Sequence, residues 1–225
     1  MNKINKIMKE LDKWVSDKGS RKYTIGEDGY TLYYSGTKPI DGIQQDRDEI
    51  KEFSEYLLKY LDGGTIVEVG LGYYGSTHFL WRMMFDKVIT IENQNDRIKE
   101  FGLNTQKYYG KWVLDDNKSF FIHGDSNSPK TVGNLYNLTK GEEIDILFID
   151  ALHSYESVLT DWLVYSPRVK KGGVVAFHDC EKRYPNSKGV AEFIDDLENG
   201  SVDGSTREIK KIVRSKTQGI AWYIK

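Results

Sequence analysis

Five short apolar, β-branched runs alternate with helix-spaced segments over the last two thirds of the chain. This alternation restricts the fold more than any other feature. The runs are 65–69 (TIVEV), 87–91 (KVITI), 119–122 (SFFI), 144–149 (IDILFI) and 173–178 (GVVAFH), with helical spacing between them at roughly 76–85, 95–108, 129–138 and 155–166. Apolar strands joined through helices form a parallel sheet buried on both faces. A further helix is expected at 189–198. The last two runs, TREIKKIV and GIAWYIK, are separated only by RSKTQ. That connection is too short for a parallel crossover, so the two must be antiparallel. The expected fold class is therefore α/β: a Rossmann-like seven-stranded sheet, mostly parallel with an antiparallel C-terminal strand pair, and helices on both faces.

Upstream, Ile4, Ile7, Met8, Leu11, Trp14 and Val15 share helical spacing over 2–17, and Ile50, Phe53, Leu57 and Leu61 do so over 46–61. Residues 20–43 are rich in Tyr and Gly and read as irregular loop or hairpin. The chain of 225 residues thus divides into an N-terminal helical and Tyr-rich cap segment, 1–62, and a main domain, 63–225. The net charge is −2 and no stretch is strongly basic, which argues against a nucleic-acid groove. The N-terminus has no apolar core of signal-peptide length, and no run approaches the ~20 apolar residues of a membrane span. A lone cysteine, Cys180, precludes an internal disulfide and makes a reducing cytoplasm the expected compartment.

The stretch TIVEVGLGYYGST, 65–77, sets Gly70, Gly72 and Gly75 between a strand and a helix opened by Ser76. Glycines there let a ligand approach the backbone closely. Glu92 ends the next strand, where an acidic residue commonly takes ribose hydroxyls. These features suit a dinucleotide as well, but Glu68 separates the two readings. A pyrophosphate needs exposed amides and no adjacent negative charge. A carboxylate suits a cationic ligand such as S-adenosylmethionine (SAM), which carries an ammonium and a sulfonium and no phosphate.

With VEVGLG, VITIEN, FIHGDS, IDILFIDALHSYESVLTDW and VKKGGVVAFHDC in this order, the sequence resembles the class I SAM-dependent methyltransferases from about 65 to 225. The resemblance implies that Glu92 holds the ribose, that Asp125 and Ser126 lie beside the adenine, and that Glu68 and Gly70 lie near the methionine moiety. The cofactor set expected is Glu68, Gly70, Gly72, Ser76, Glu92, Asp125, Ser126 and Asp150. One departure is Tyr74, at the third glycine position of the commoner GxGxG pattern, with Gly75 following it.

Asp150 ends one strand, and His178 and Asp179 end another. In a 3-2-1-4-5 strand order these ends are neighbours, about 4.8 Å apart, at the carboxyl edge where open α/β sheets bind ligands. Two facing carboxylates repel unless a proton or a divalent cation intervenes. Asp150, His178 and Asp179 are therefore expected to ligate Mg²⁺ or Mn²⁺. Helix capping by the two aspartates is the alternative. His153 or His178 is the expected general base, with Asp150 completing the catalytic set. The segments GDSNSPKTV, FIDALHSYESVLTDWLVYSPRVKKGGVVAFHD and GVAEFIDDL narrow the resemblance to the branch of cephalosporin hydroxylase-like, rhamnosyl O-methyltransferase and macrolide-sugar O-methyltransferase proteins. Some relatives there use Mg²⁺ through an Asp and an acidic pair; His178 stands in place of one of those acids.

The expected function is SAM-dependent, metal-assisted O-methylation of a hydroxyl on a sugar or small polar metabolite. Tyr23, Tyr30, Tyr33 and Tyr34 are expected to cover the acceptor or to form a packing or dimer surface. No nucleic-acid or membrane partner is expected, and a homo-oligomer would form through the N-terminal segment. The competing readings are an NAD-dependent oxidoreductase and a SAM-binding, hydroxylase-like relative without methyl transfer.

Overall fold

A computed structural model describes residues 2–16, 21–25, 31–35, 38–39, 46–72, 75–114, 116–214 and 218–225, with the backbone alone for 15–16 and 21–39. Helices α1 (Lys3–Ser16) and α2 (Arg47–Tyr60) flank a small antiparallel sheet of β1 (Arg21–Ile25), β2 (Thr31–Ser35) and β3 (Lys38–Pro39). The alternating part follows as β4 (Thr65–Val69), α3 (Ser76–Met84), β5 (Lys87–Glu92), α4 (Asn95–Tyr109), β6 (Ser119–His123), α5 (Pro129–Thr139), β7 (Ile144–Ile149), α6 (Tyr155–Tyr165) and β8 (Val169–His178). Helix α7 (Lys188–Asn199) and strands β9 (Lys210–Ile212) and β10 (Ile220–Ile224) complete the chain.

The main sheet has seven strands in the order β6-β5-β4-β7-β8-β10-β9. Neighbours from β6 through β8 are parallel, and β10 pairs antiparallel with both β8 and β9. The fold is the Rossmann-like α/β fold that the alternation predicts. The first five strands keep the 3-2-1-4-5 order, and β10 alone among the seven runs against them.

Period-2 alternation sends successive strand residues to opposite faces. Ile66, Val88, Ile146, Phe148, Val174 and Trp222 face one layer, packed against α1–α4 through Leu11, Trp14, Phe53, Phe79 and Phe101. Val67, Ile89, Leu147, Val175, Phe177 and Tyr223 face the other, against α5–α7 through Leu135, Trp162, Tyr165, Phe193 and Leu197. The apolar stripe of α1 is continuous with the first layer: Trp14 stacks on Phe79 with ring centroids 4.4 Å apart. The boundary at 62/63 therefore divides the sequence but not the core. Asp46 starts α2 by accepting from the Asp48 and Glu49 amides at 2.9 and 3.1 Å, the N-cap chemistry expected of Asp.

Segment 20–43 holds the three short strands, a hairpin extended by one strand. Its tyrosine side chains (23, 33 and 34), the whole of Tyr30, and Tyr73 and Tyr74 lie outside the described residues. Among the described residues no helix is long and apolar enough to cross a membrane.

Candidate active site

The carboxyl ends of β4, β5, β6, β7 and β8 open onto one crevice of about 410 Å³, within the range of small-molecule clefts. Its floor is the turn after β4. Gly70 has φ 98°, and its amide donates to the Ile91 carbonyl at 2.9 Å. A Cβ on Gly70 would collide with the Asp150 carbonyl, so only glycine lets the β4 and β7 loops close together there. Gly75, at φ 62°, is the N-cap of α3, where a Cβ would lie 2.5 Å from the Phe101 ring. Gly70 and Gly72 line the crevice. Ser76, grouped with the cofactor residues from sequence, is the buried first residue of α3 and is not part of the wall.

Glu68 differs most from its expected place. It shares its strand face with Ile66 and points into the α3 layer, away from the crevice. Trp81 Nε1 donates to its Oε1 at 3.0 Å, and Thr90 Oγ1 donates to its Oε2 at 2.7 Å. Burial pushes the Glu68 carboxyl up to about 7, opposed by hydrogen bonds from Thr77, Thr90 and Trp81. Beyond Thr90 lies His78, its ring nitrogens 2.7 Å from Thr90 Oγ1 and 2.7 Å from Ser119 Oγ. Burial drives that imidazole well below its usual range, so it is neutral.

Glu92 lies in the wall at one end of the crevice, where its Oε2 accepts from the Leu71 amide at 3.0 Å and its Oε1 from the Gln94 amide at 2.8 Å. It thus ties the glycine turn to the end of β5. Asp125 and Ser126 line the same end in the turn after β6, and Asp125 Oδ1 accepts from the Asn127 amide at 3.0 Å.

At the other end, parallel pairing of Ile149 with Phe177 sets Asp150 beside His178, as the strand order requires. His178 Nδ1 lies 3.3 Å from Asp150 Oδ1 and 3.2 Å from Asp179 Oδ2. The loop after β7 folds back so that His153 Nε2 lies 2.8 Å from the same Asp179 oxygen. Burial alone would raise Asp179, but the charge of His178 and hydrogen bonds from His153 and His178 hold it well below the usual carboxylate range. The Asp179 hydrogen bond raises His153. Burial lowers His178, yet the two carboxylates overcome that and hold its proton. Asp179 sits at φ 61°, unusual for a non-glycine residue and in keeping with strain retained at a functional site. Neither aspartate is an N-cap: Ser154 caps α6 and Ser187 caps α7.

One donor atom each from Asp150, His153 and Asp179 lies within 4.8 Å of the others, and Asp179 Oδ1 is buried without a protein partner. The three-donor cluster therefore contains His153 where the sequence placed His178; His178, 4% exposed, sits behind it between the carboxylates. Sequence reasoning missed other wall residues: Asp161, Gln218 and the 67% exposed Leu152. Asp161 lies inside a helical run and Gln218 in the β9–β10 connection, so no local motif marks them. Cys180 is buried with its thiol pushed up to about 12, which rules out an activated thiolate.

A glycine-floored crevice at the switch point of a 3-2-1-4-5 sheet, closed by an antiparallel final strand pair, defines the class I methyltransferase fold. The chain belongs to the methyltransferase-domain family, whose model (Methyltransf_24, "Methyltransferase domain") matches residues 67–180. Solved structures agree in fold. MycE, the methyltransferase of the mycinamycin biosynthetic pathway, solved with Mg, S-adenosylhomocysteine (SAH) and mycinamycin VI, is 18% identical with a TM-score of 0.53. That match covers 77% of this chain and 48% of MycE, so the chain spans about half of MycE's length. TomG from Streptomyces achromogenes, solved with SAM, is 15% identical over 80% of each chain, TM-score 0.59. The Bacillus cereus O-methyltransferase solved with SAH is 13% identical over 98% of this chain and 91% of that one, TM-score 0.56. No curated protein matches the chain. Family membership sets aside the NAD-dependent oxidoreductase.

Proposed function

We propose that this chain is a SAM-dependent O-methyltransferase acting on a hydroxyl of a small polar acceptor, such as a sugar, with a divalent cation at Asp150 and Asp179. The convergence of Asp150, His153 and Asp179 at one end of the crevice carries this reading. The residues fit both groups. Glu92, Asp125 and Ser126 offer acceptors for a nucleoside at the far end, and Gly70 and Gly72 leave room beside the backbone. The buried, unpartnered Asp179 Oδ1 and the Asp150 carboxylate beside it suit Mg²⁺ or Mn²⁺. When bound, such a cation lowers the pKa of a coordinated hydroxyl and fixes its direction.

The chain's own groups supply the rest. Methyl transfer is an in-line displacement, so holding the hydroxyl opposite the leaving sulfur is the main requirement. Asp179 orients the His153 imidazole through the 2.8 Å contact. His153, 35% exposed at the crevice mouth, takes the hydroxyl proton. His178 is too buried to reach an acceptor and compensates the paired carboxylates. Exposed Leu152 offers an apolar contact for the acceptor beside His153.

A second reading rests on His178. Lying between Asp150 and Asp179 with its proton held, it can balance their charge without a cation, leaving a metal-free enzyme with His153 as base. Transfer of labelled methyl from SAM to a panel of sugars and phenols, with EDTA and with Mg²⁺ or Mn²⁺ restored, separates the two. The metal reading expects EDTA to stop turnover and the cation to restore it. His153→Ala should lower turnover about 10²–10⁴-fold, the usual worth of a general base. It should leave Mn²⁺ affinity, followed by electron paramagnetic resonance, nearly unchanged. Full turnover in EDTA favours the second reading, and loss of Mn²⁺ binding in His153→Ala makes the imidazole a ligand instead.

Glu92→Ala should weaken SAH binding by about 1–3 kcal/mol, because it removes charge-assisted hydrogen bonds to ribose and frees the Leu71 amide. Unchanged affinity by calorimetry would remove Glu92 from the cofactor site.

A further inference from the structure

The turn after β6 is held from α6 by two residues one helical turn apart. Tyr165 OH donates to the Ser126 carbonyl, and the Ser126 side chain faces the Asp161 carboxylate and favours its charged form. Residues four apart project from the same helix face, so one rigid surface holds the Ser126 carbonyl and faces its side chain. Asp161 is 2% exposed and Tyr165 fully buried, with the Tyr165 ring inside the α5–α7 core layer. Burying a carboxylate is costly, and an apolar residue at 161 would pack more cheaply in that layer. The cost is visible: burial pushes the Asp161 carboxyl up to about 6, with Asp125 adding to the rise and the Ser126 hydrogen bond opposing it. Asp161 Oδ1 has no protein partner, and Asp161, Asp125 and Ser126 all belong to the crevice wall.

We infer that Asp161 and Tyr165 are positioning residues that fix the Ser126 turn in the shape that receives the adenine end of the cofactor. This rests on the SAM-binding reading. The turn's other ties are short-range or run to β5: Gly124 N to the Glu92 carbonyl at 3.1 Å, and Ser128 N to the Asp125 carbonyl at 3.0 Å. They close the turn but do not set its height over the α6 layer. The same helix begins at Ser154, the residue after His153. The base end and the proton-transfer end of the crevice therefore share one scaffold.

The test is calorimetry with SAH and with 5′-methylthioadenosine, which keeps the adenosine and lacks the amino acid. It uses the wild type, Tyr165→Phe, Asp161→Ala and Asp161→Asn. Tyr165→Phe and Asp161→Ala should weaken both ligands alike, by about tenfold, the worth of one lost hydrogen bond at a partly buried site. Asp161→Asn should stay within about twofold, because it keeps the side chain's shape and turns a polar oxygen toward Ser126. Hydrogen exchange of unliganded Tyr165→Phe should speed up across 124–128 and stay unchanged in β7 and β8. Wild-type affinity and exchange in Tyr165→Phe overturns the inference. So does weakening of SAH alone, or faster exchange throughout the sheet, which would make the pair merely structural. If the wild type binds neither ligand, the SAM reading falls, and this inference with it.

Discussion

Asp179→Ala should lower methyl transfer by about 10³-fold or more while leaving SAH affinity within about threefold. Asp179 touches both imidazoles, with His153 at 2.8 Å and His178 at 3.2 Å. Its removal frees His153 to rotate and deprives a cation of its buried donor, so general-base help and hydroxyl alignment fail together. The cofactor end, at Glu92, Asp125 and Ser126, is untouched. Asp179→Asn keeps the shape and removes the charge, and should lose nearly as much. Labelled-methyl transfer and calorimetry on one preparation read both quantities. More than about a tenth of wild-type turnover in either variant would show that the cluster is not the reactive centre and return Asp179 to a structural role.

The second large effect concerns stability. Glu68 rises from its ordinary value of 4.5 to about 7 through burial. A group whose pKa is higher folded than unfolded contributes stability that is complete below the unfolded value and is lost as pH rises through the folded one. The window is therefore about 4.5 to 7, and the wild type should lose roughly 3 kcal/mol across it through this group. Glu68→Gln keeps the shape and cannot ionise. Its stability should fall less over the same window, with a thermal midpoint roughly 6–12 °C above the wild type at pH 8 relative to pH 5. Asp161, His153 and His178 slope in the same direction in both proteins, so the difference isolates Glu68. A gap between the two proteins that does not change with pH would show that Glu68 keeps its ordinary pKa in the fold.

The strand order and the meeting of Asp150 with His178 and Asp179 were legible because they follow from local pattern. Apolar runs with helices between them admit few parallel topologies, and a strand-end residue stays at the sheet edge wherever its strand is placed. Gly70 and Gly75 were legible for a related reason, since a tight strand-to-helix turn demands backbone freedom at set offsets. Glu68 was not. Alternation puts it opposite Val67 and Val69, but which face turns toward ligand depends on which helices cover each side. Trp81 and Thr90, 13 and 22 residues away, take up its carboxylate. Ser76, the first residue of α3, is buried and likewise stands outside the crevice wall. The exchange of His178 for His153 in the three-donor cluster was equally hidden, because the loop after β7 could fold toward Asp179 or away from it, and residue spacing does not distinguish the two. Asp161 and Tyr165 meet Ser126 across 35 and 39 residues, a pairing that exists only once α6 packs beside the turn after β6. Sequence by itself determined the sheet and which residues stand at its carboxyl edge, because period and connection length act between chain neighbours. Tertiary structure decided which of those residues face the crevice and which hydrogen-bond one another, because only packing two helix layers onto the sheet fixes side-chain direction and burial.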